Sequence, residues 1–157
     1  MGIINLKDIG VNVMNLTIRP LEEQDYLEML SLWNNELENK MVTKENIASY
    51  YIEMSTDSRY KTFVAENHDQ ILGFITSVNS MAVGLDNGFL HITGLAVKQQ
   101  FQGQGVGRKL LAYLENYAQD IQVHSIILNS GTYREKAHRF YELNGYSKDS
   151  YCFDKTI

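Results

Sequence analysis

The sequence predicts one mixed α/β (α+β) domain, with a central mixed sheet of six to seven strands flanked by four helices, over residues 13–157 behind a short N-terminal extension, residues 1–12. Three observations predict it. Segments with a strand period alternate with segments of helical period along the chain. A strand–helix–strand succession spanning 89–129 has the length of a right-handed crossover, which places two strands parallel. A glycine-rich octapeptide, Gln102 to Lys109, joins the first of those strands to that helix.

Residues 1–12 show no clear period. Met14 to Arg19 alternates and stops at Pro20, the chain's single proline, as a first strand would. Tyr26, Leu27, Leu30 and Trp33 form a helical stripe over 21–33. A second helix is expected over 43–54, with Thr43 as N-cap and Ile47, Tyr50, Tyr51 and Met54 on one face. Lys61 to Glu66 and Ile71 to Val78 read as a hairpin closed by Asn67 to Gln70, where His68 is solvated. After a loop around Asp86-Asn87-Gly88, residues 88–98 form a strand whose interior Gly94 marks a bulge or a site of close backbone approach. Such a bulge splays the strand from its next neighbour and opens a slot for a ligand. Val106, Leu110, Leu111, Leu114, Tyr117 and Ile121 give the third helix its stripe. Ser125 to Asn129 is a short apolar run, expected as a buried parallel strand. Residues 133–144 form the fourth helix, closed by Gly145, and the tail to Phe153 is expected to add one or two strands.

The composition excludes several classes. Of 157 residues, 44% are hydrophobic and 21% charged, which is ordinary for a globular domain. Apolar runs fall far short of the ~20 residues of a spanning helix, and no signal peptide opens the chain, so no membrane role is expected. A net charge of −5 argues against non-specific nucleic-acid binding. The lone Cys152 has no internal partner, which fits a reducing, cytoplasmic location. Four scattered histidines and one cysteine give no metal-ligand spacing.

The octapeptide Gln102-Gly103-Gln104-Gly105-Val106-Gly107-Arg108-Lys109 puts three glycines where a helix begins. The first N–H groups of a helix lack internal partners and carry roughly half a positive charge, so they suit an anion. A P-loop is excluded because Lys109 is followed by Leu110 rather than Ser or Thr. A dinucleotide fingerprint is excluded because its third glycine would fall on Arg108. Cations in a first helical turn are disfavoured by about 0.3–1 kcal/mol each, so Arg108 and Lys109 there point to a bound polyanion.

What remains, Gln102-x-x-Gly105-x-Gly107, resembles the Arg/Gln-x-x-Gly-x-Gly/Ala signature of the GCN5-related N-acetyltransferases. Two further segments support the resemblance, which runs from about residue 14 to the end. Leu95-Ala96-Val97 is similar to the family's bulged strand. Arg134-x-x-Ala137-His138-x-Phe140-Tyr141-Glu142-x-x-Gly145-Tyr146 is similar to its Asn/Arg-x-x-Ala-x-x-x-Tyr-Glu-x-x-Gly-Phe segment. The resemblance implies an acyl-CoA N-acyltransferase fold and acetyl-CoA as co-substrate, without metal. Loop amides would hold the pyrophosphate and the 95–97 backbone the pantetheine. Arg134, His138 and the strand-end Asn129 are the remaining cofactor candidates. At about 100° per residue, Arg134, His138 and Tyr141 fall within about 60° of one another.

Acetyl transfer to an amine needs a neutral amine, a polarised carbonyl and a proton for the leaving thiolate. Tyr141 matches the family's general acid, and a phenol of pKa about 10 remains protonated where a thiol of about 8.5 begins to ionise. An amide at or near Val97 would polarise the carbonyl. The base stays open. Many family members carry a glutamate on the bulged strand, where this chain has Thr93. His91 is a candidate, a water chain or an already deprotonated amine the others. The implied activity is N-acetylation of a primary amine of a small molecule or peptide, with a homodimer left open. The rival is a non-catalytic acyl-CoA-binding or regulatory module.

Overall fold

The computed structural model describes residues 15–157; the predicted extension, 1–12, lies outside the described residues. Among the described residues, five strands form one sheet in the order β1 (Thr17–Pro20), β2 (Tyr60–Asn67), β3 (Gln70–Ala82), β4 (Leu85–Val97) and β5 (Ile126–Leu128). β1 to β4 pair with one another antiparallel, and β5 is parallel to β4. The helices are α1 (Tyr26–Ser31), α2 (Ile47–Ser55), α3 (Val106–Asp120) and α4 (Glu135–Leu143).

Among the described residues the sheet therefore has fewer strands than the six to seven expected. The tail past Gly145 forms no strand, and Tyr151 and Phe153 are exposed. β5 offers a three-residue edge, too short to template another strand. Nor is β5 buried, since Ile127 is 41% exposed at the sheet's margin. The loop expected at Asp86-Asn87-Gly88 lies inside β4, and the reversal falls at Val83-Gly84. α2 starts at Ile47 with Asn46 as N-cap, one turn later than Thr43, whose carbonyl accepts from Ile47 N at 3.0 Å. The β2–β3 reversal falls where expected: His68 and Asp69 both have positive φ, the geometry of a tight hairpin turn.

Two cores sandwich the sheet. Met29, Leu32, Ile47 and Tyr51 of the α1–α2 layer bury Val64, Ile71 and Phe74. Val106, Leu110, Leu111 and Leu114 of α3 bury Phe63, Leu72, Ile75, Leu90 and Ile92 on the other face, joined by Phe140 and Tyr141 of α4. Arg19 fixes the α1 layer to the sheet edge. Its guanidinium grips Asp25 at 2.7 and 2.9 Å and also pairs with Glu66 on β2. Past Ser31, α1 widens into a π-helical turn, Leu32–Glu36, with Leu37 N bonded to Leu32 O at 3.3 Å.

β4 carries the predicted bulge. Thr76 pairs with Gly94 but Ser77 with Ile92, so Thr93 is an extra residue. Leu90 and Ile92 before it, and Leu95 and Val97 after it, all face the α3 core. Only a one-residue insertion can keep both sets on one face, because side chains alternate strictly along a strand.

Candidate active site

Pairing of β4 with β5 ends at Ile92 and Leu128, immediately before the bulge. Beyond it the strands part, and a cleft of about 260 Å³ opens between them. Thr93, Gly94 and Leu95 form its floor. One wall comes from the β5–α4 connection and α4: Asn129, Ser130, Gly131, Arg134, Ala137 and Tyr141. Opposite stand Trp33, Leu37 and Asn39, which follow from the π-helical turn.

Trp33 is held rigidly. Its Nε1 donates to the buried Tyr51 hydroxyl at 2.8 Å, and its ring lies 5.0 Å from Phe74. A Cβ on residue 94 would lie 2.7 Å from Trp33 Cη2, so glycine is the residue that admits the indole. The close approach expected at Gly94 is thus by a side chain rather than by backbone.

Tyr141 lines the cleft, its ring edge-on to Phe140 at 5.2 Å and to Tyr146 at 5.8 Å. Burial pushes its phenol up to about 12, with Arg134 pulling the other way. The hydroxyl is consequently a persistent proton donor at neutral pH. Arg134, at the N-cap of α4, reaches across the cleft, with Nη2 donating to Leu37 O at 3.2 Å and its guanidinium 5.7 Å over the Tyr133 ring.

Tyr141, Leu95, Asn129 and Arg134 are thus brought together in one cleft. The other sequence candidates stand elsewhere. His91, paired with Val78 and Ile127, lies outside the cleft lining, its Nε2 3.5 Å from Asn129 Nδ2. His138 is engaged with the Gly131 carbonyl at 2.9 Å, an acceptor it shares with Arg134 N, and so shapes the wall instead of facing the cleft. Ala96 faces the α1–α2 core, and the Val97 carbonyl accepts from Gln102 Nε2 at 2.9 Å.

Gln102 also reaches Glu36 Oε2 at 3.2 Å, while Glu36 Oε1 accepts from Gln99 N at 3.0 Å. These bonds brace the glycine loop from below. Gly103 and Gly105 have φ of 74° and 86°, in the left-handed region, and nothing lies within 4 Å of a Cβ at either. Gln104 bonds back to Gln100 O at 2.8 Å. The first α3 bond runs from Lys109 N to Gly105 O at 3.0 Å, leaving the amides of Val106, Gly107 and Arg108 without helical acceptors. The Val106 side chain is buried, so only its backbone is available. Gly107 approaches Phe140, and Arg108 and Lys109 are exposed. An open cradle of free amides beside two cations fits a polyanion such as a pyrophosphate.

Sequence reasoning passed over Trp33, Leu37 and Asn39 as site residues. The one signal was Gly94, whose missing side chain leaves room for a close neighbour without naming it.

Residues 22–146 match the family described as the Acetyltransferase (GNAT) family. An uncharacterized N-acetyltransferase of Methanocaldococcus jannaschii is 36% identical over 85 residues, 54% of this chain and 51% of that protein, so the match spans about half the relative's length. A transcriptional regulator from Bacillus halodurans C-125 superposes with a TM-score of 0.83 at 21% identity, covering 91% of this chain and all of the other. AAC(6')-Iy in complex with the bisubstrate analog CoA-S-monomethyl-acetylneamine superposes with a TM-score of 0.77 at 13% identity, covering 91% and 99%. At these identities the structural likenesses show the fold.

Proposed function

Because the chain belongs to the acetyltransferase (GNAT) family, we propose that it transfers the acetyl group of acetyl-CoA to a primary amine of a small molecule or peptide, by direct attack in a ternary complex. The observation that carries this reading is the meeting, in one cleft, of the β4 edge left unpaired past Ile92 with Tyr141 on the facing wall. When bound, acetyl-CoA supplies an activated acetyl thioester. The amides of 103–108 with Arg108 and Lys109 bind its pyrophosphate, and the backbone of Leu95, Ala96 and Val97 aligns the pantetheine. An amide of this edge polarises the acetyl carbonyl. Tyr141 hydrogen-bonds the departing thiolate and protonates it, and solvent then returns a proton to the phenolate. Trp33 and the α4 wall exclude water and orient the amine. The amine's proton leaves through a water chain, to His91 or to solvent, or the amine arrives already deprotonated; His91 itself stands outside the cleft lining.

The rival reading, a module that binds acyl-CoA without catalysis, is favoured by Thr93 standing where many family members place a glutamate. One experiment separates the two. Acetyl-CoA is added to the full chain in a thermal-shift assay, and thiol release is followed over a panel of primary amines. Binding at 100 times Kd stabilises the fold by about 2.7 kcal/mol. A melting shift with amine-dependent thiol release supports transfer; a shift without release over the panel supports the module. The absence of any shift at millimolar acetyl-CoA overturns both. The location consistent with this reading is cytoplasmic, with Cys152 free and exposed. Among the described residues no helix is long and apolar enough to cross a membrane.

A further inference from the structure

The cleft has an unusual charge inventory for an amine-binding site. Among the described residues that line it, the one charged side chain is Arg134, and no carboxylate is present. Glu36 stands next to the lining residue Leu37, but both of its oxygens are occupied by Gln99 N and Gln102 Nε2. Glu38 is exposed and outside the lining. Arg134 itself is half-buried, and among the described residues no carboxylate lies within ion-pair distance of it. Its bonds to Leu37 O and the Tyr133 hydroxyl engage two of five N–H donors. A half-buried cation with spare donors and no counter-ion pays a desolvation cost that an anionic ligand would offset.

Resting on the proposed transfer, we infer that the acceptor is a small amine that also bears a carboxylate, and that Arg134 binds that carboxylate. The neutral polar groups around it, Asn39, Asn129 and Ser130, suit the amine end. The charge pattern also bears on the absent glutamate base. A carboxylate in the cleft would stabilise the ammonium form, which cannot attack, whereas a cation disfavours it. Pairing the acceptor's own carboxylate with Arg134 removes the nearest charge that would keep its amine protonated. A polycationic acceptor meets the opposite conditions, with no acid to receive it and one cation to repel it. A phosphate of acetyl-CoA is the other anion Arg134 could meet. Its position opposite Trp33 and Leu37, rather than at the glycine loop, favours the acceptor.

The test uses the full chain with saturating acetyl-CoA. Thiol release is measured for amino acids, each paired with its carboxamide, and for spermidine. The carboxamide's amine is the more easily deprotonated, so amine chemistry alone favours the amide. The expected result is kcat/KM higher for the acid than for its amide by about 10–100-fold, the value of a charge-assisted hydrogen-bonded pair. In Arg134→Gln that ratio falls to within about threefold of unity while the acetyl-CoA melting shift is retained; Arg134→Lys, with charge but no fork, lies between. Equal turnover of acid and amide, or a preference for spermidine, overturns the inference and leaves transfer standing. Loss of the acetyl-CoA shift in Arg134→Gln with the acid preference intact assigns Arg134 to the cofactor and also overturns it. Absence of transfer to every amine overturns this inference and the proposed function together. Should Arg134→Gln fail to fold, the wild-type ratio of acid to amide still decides.

Discussion

Gly94→Ala tests the packing on which the cleft depends. The added methyl would meet Trp33 Cη2 at 2.7 Å, Phe74 Cε2 at 3.2 Å and Thr76 Cγ2 at 3.3 Å. Carbon contacts are optimal at about 3.5–4.0 Å, so the first overlap is roughly 1 Å. Trp33 cannot swing aside, because Nε1 is bonded to Tyr51 at 2.8 Å and the ring rests on Phe74. Overpacking of this kind costs about 1–3 kcal/mol, and three simultaneous contacts place it in the upper half of that range. For a chain of this size that lowers Tm by about 4–12 °C. Trp33→Phe removes the offending ring atoms but leaves the Tyr51 hydroxyl without its donor, at about 1–3 kcal/mol. The double variant should therefore be less destabilised than the sum of the singles, with a coupling of about 1–2 kcal/mol in urea denaturation. Strict additivity, or a Gly94→Ala variant melting within a degree of wild type, would refute the reasoning.

Three further outcomes are expected. Tyr141→Phe should keep acetyl-CoA affinity within a few-fold while turnover falls by about 10²–10⁴; with the phenol pushed up to about 12, the wild-type pH–rate profile should show no descending limb from Tyr141 below about pH 10. Gly105→Asp puts a side chain in a left-handed position of φ 86° and a negative charge in the proposed cradle, so the folded variant should lose the acetyl-CoA melting shift. Burial alone would raise the Asp25 pKa, but Arg19 and the Glu22 amide more than reverse it and hold the carboxyl below its ordinary value. The folded pKa thus lies under the unfolded one, and this stabilisation is present above about pH 4 and lost as pH falls further. Asp25→Ala should cost about 3 kcal/mol by denaturation and flatten that acid limb, since Arg19 retains Glu66.

Much of this was legible in the sequence because it was local. Strand period, the β2–β3 turn and the glycine loop depend on neighbours in the chain, and these appear near their expected places, whereas the turn read at Gly88 lies inside β4. Gly94 announced the bulge because a strand interior rarely lacks a side chain. The cleft's far wall was not legible. Trp33 sits in a helical stripe like any core aromatic, and only the π turn after Ser31 and the hydrogen bond it donates to Tyr51, eighteen residues away, aim it at β4. The histidines misled for a related reason. Helical spacing put His138 beside Arg134 and Tyr141, but it could not reveal that the Gly131 carbonyl would engage the ring. The tail's alternation of Tyr151 and Phe153 suggested a strand, whereas a strand also needs a partner edge, which β5 is too short to supply.

The bulge at Thr93 and the π turn at Leu32–Glu36 are each a single residue surplus to a regular element, and they face one another across the cleft. Chain length at these two points therefore governs the site as strongly as residue identity. Deleting one residue near Thr93 would send Leu95 and Val97 toward the α1–α2 layer and Ala96 toward α3. Deleting one within the π turn would rotate everything after it by about 100°, carrying Leu37 and Asn39 off the wall. Neither change touches Tyr141 or the glycine loop in the sequence. Relatives that differ here by one-residue gaps should accordingly differ in which amines they accept, even where their glycine loops and tyrosines align without a break.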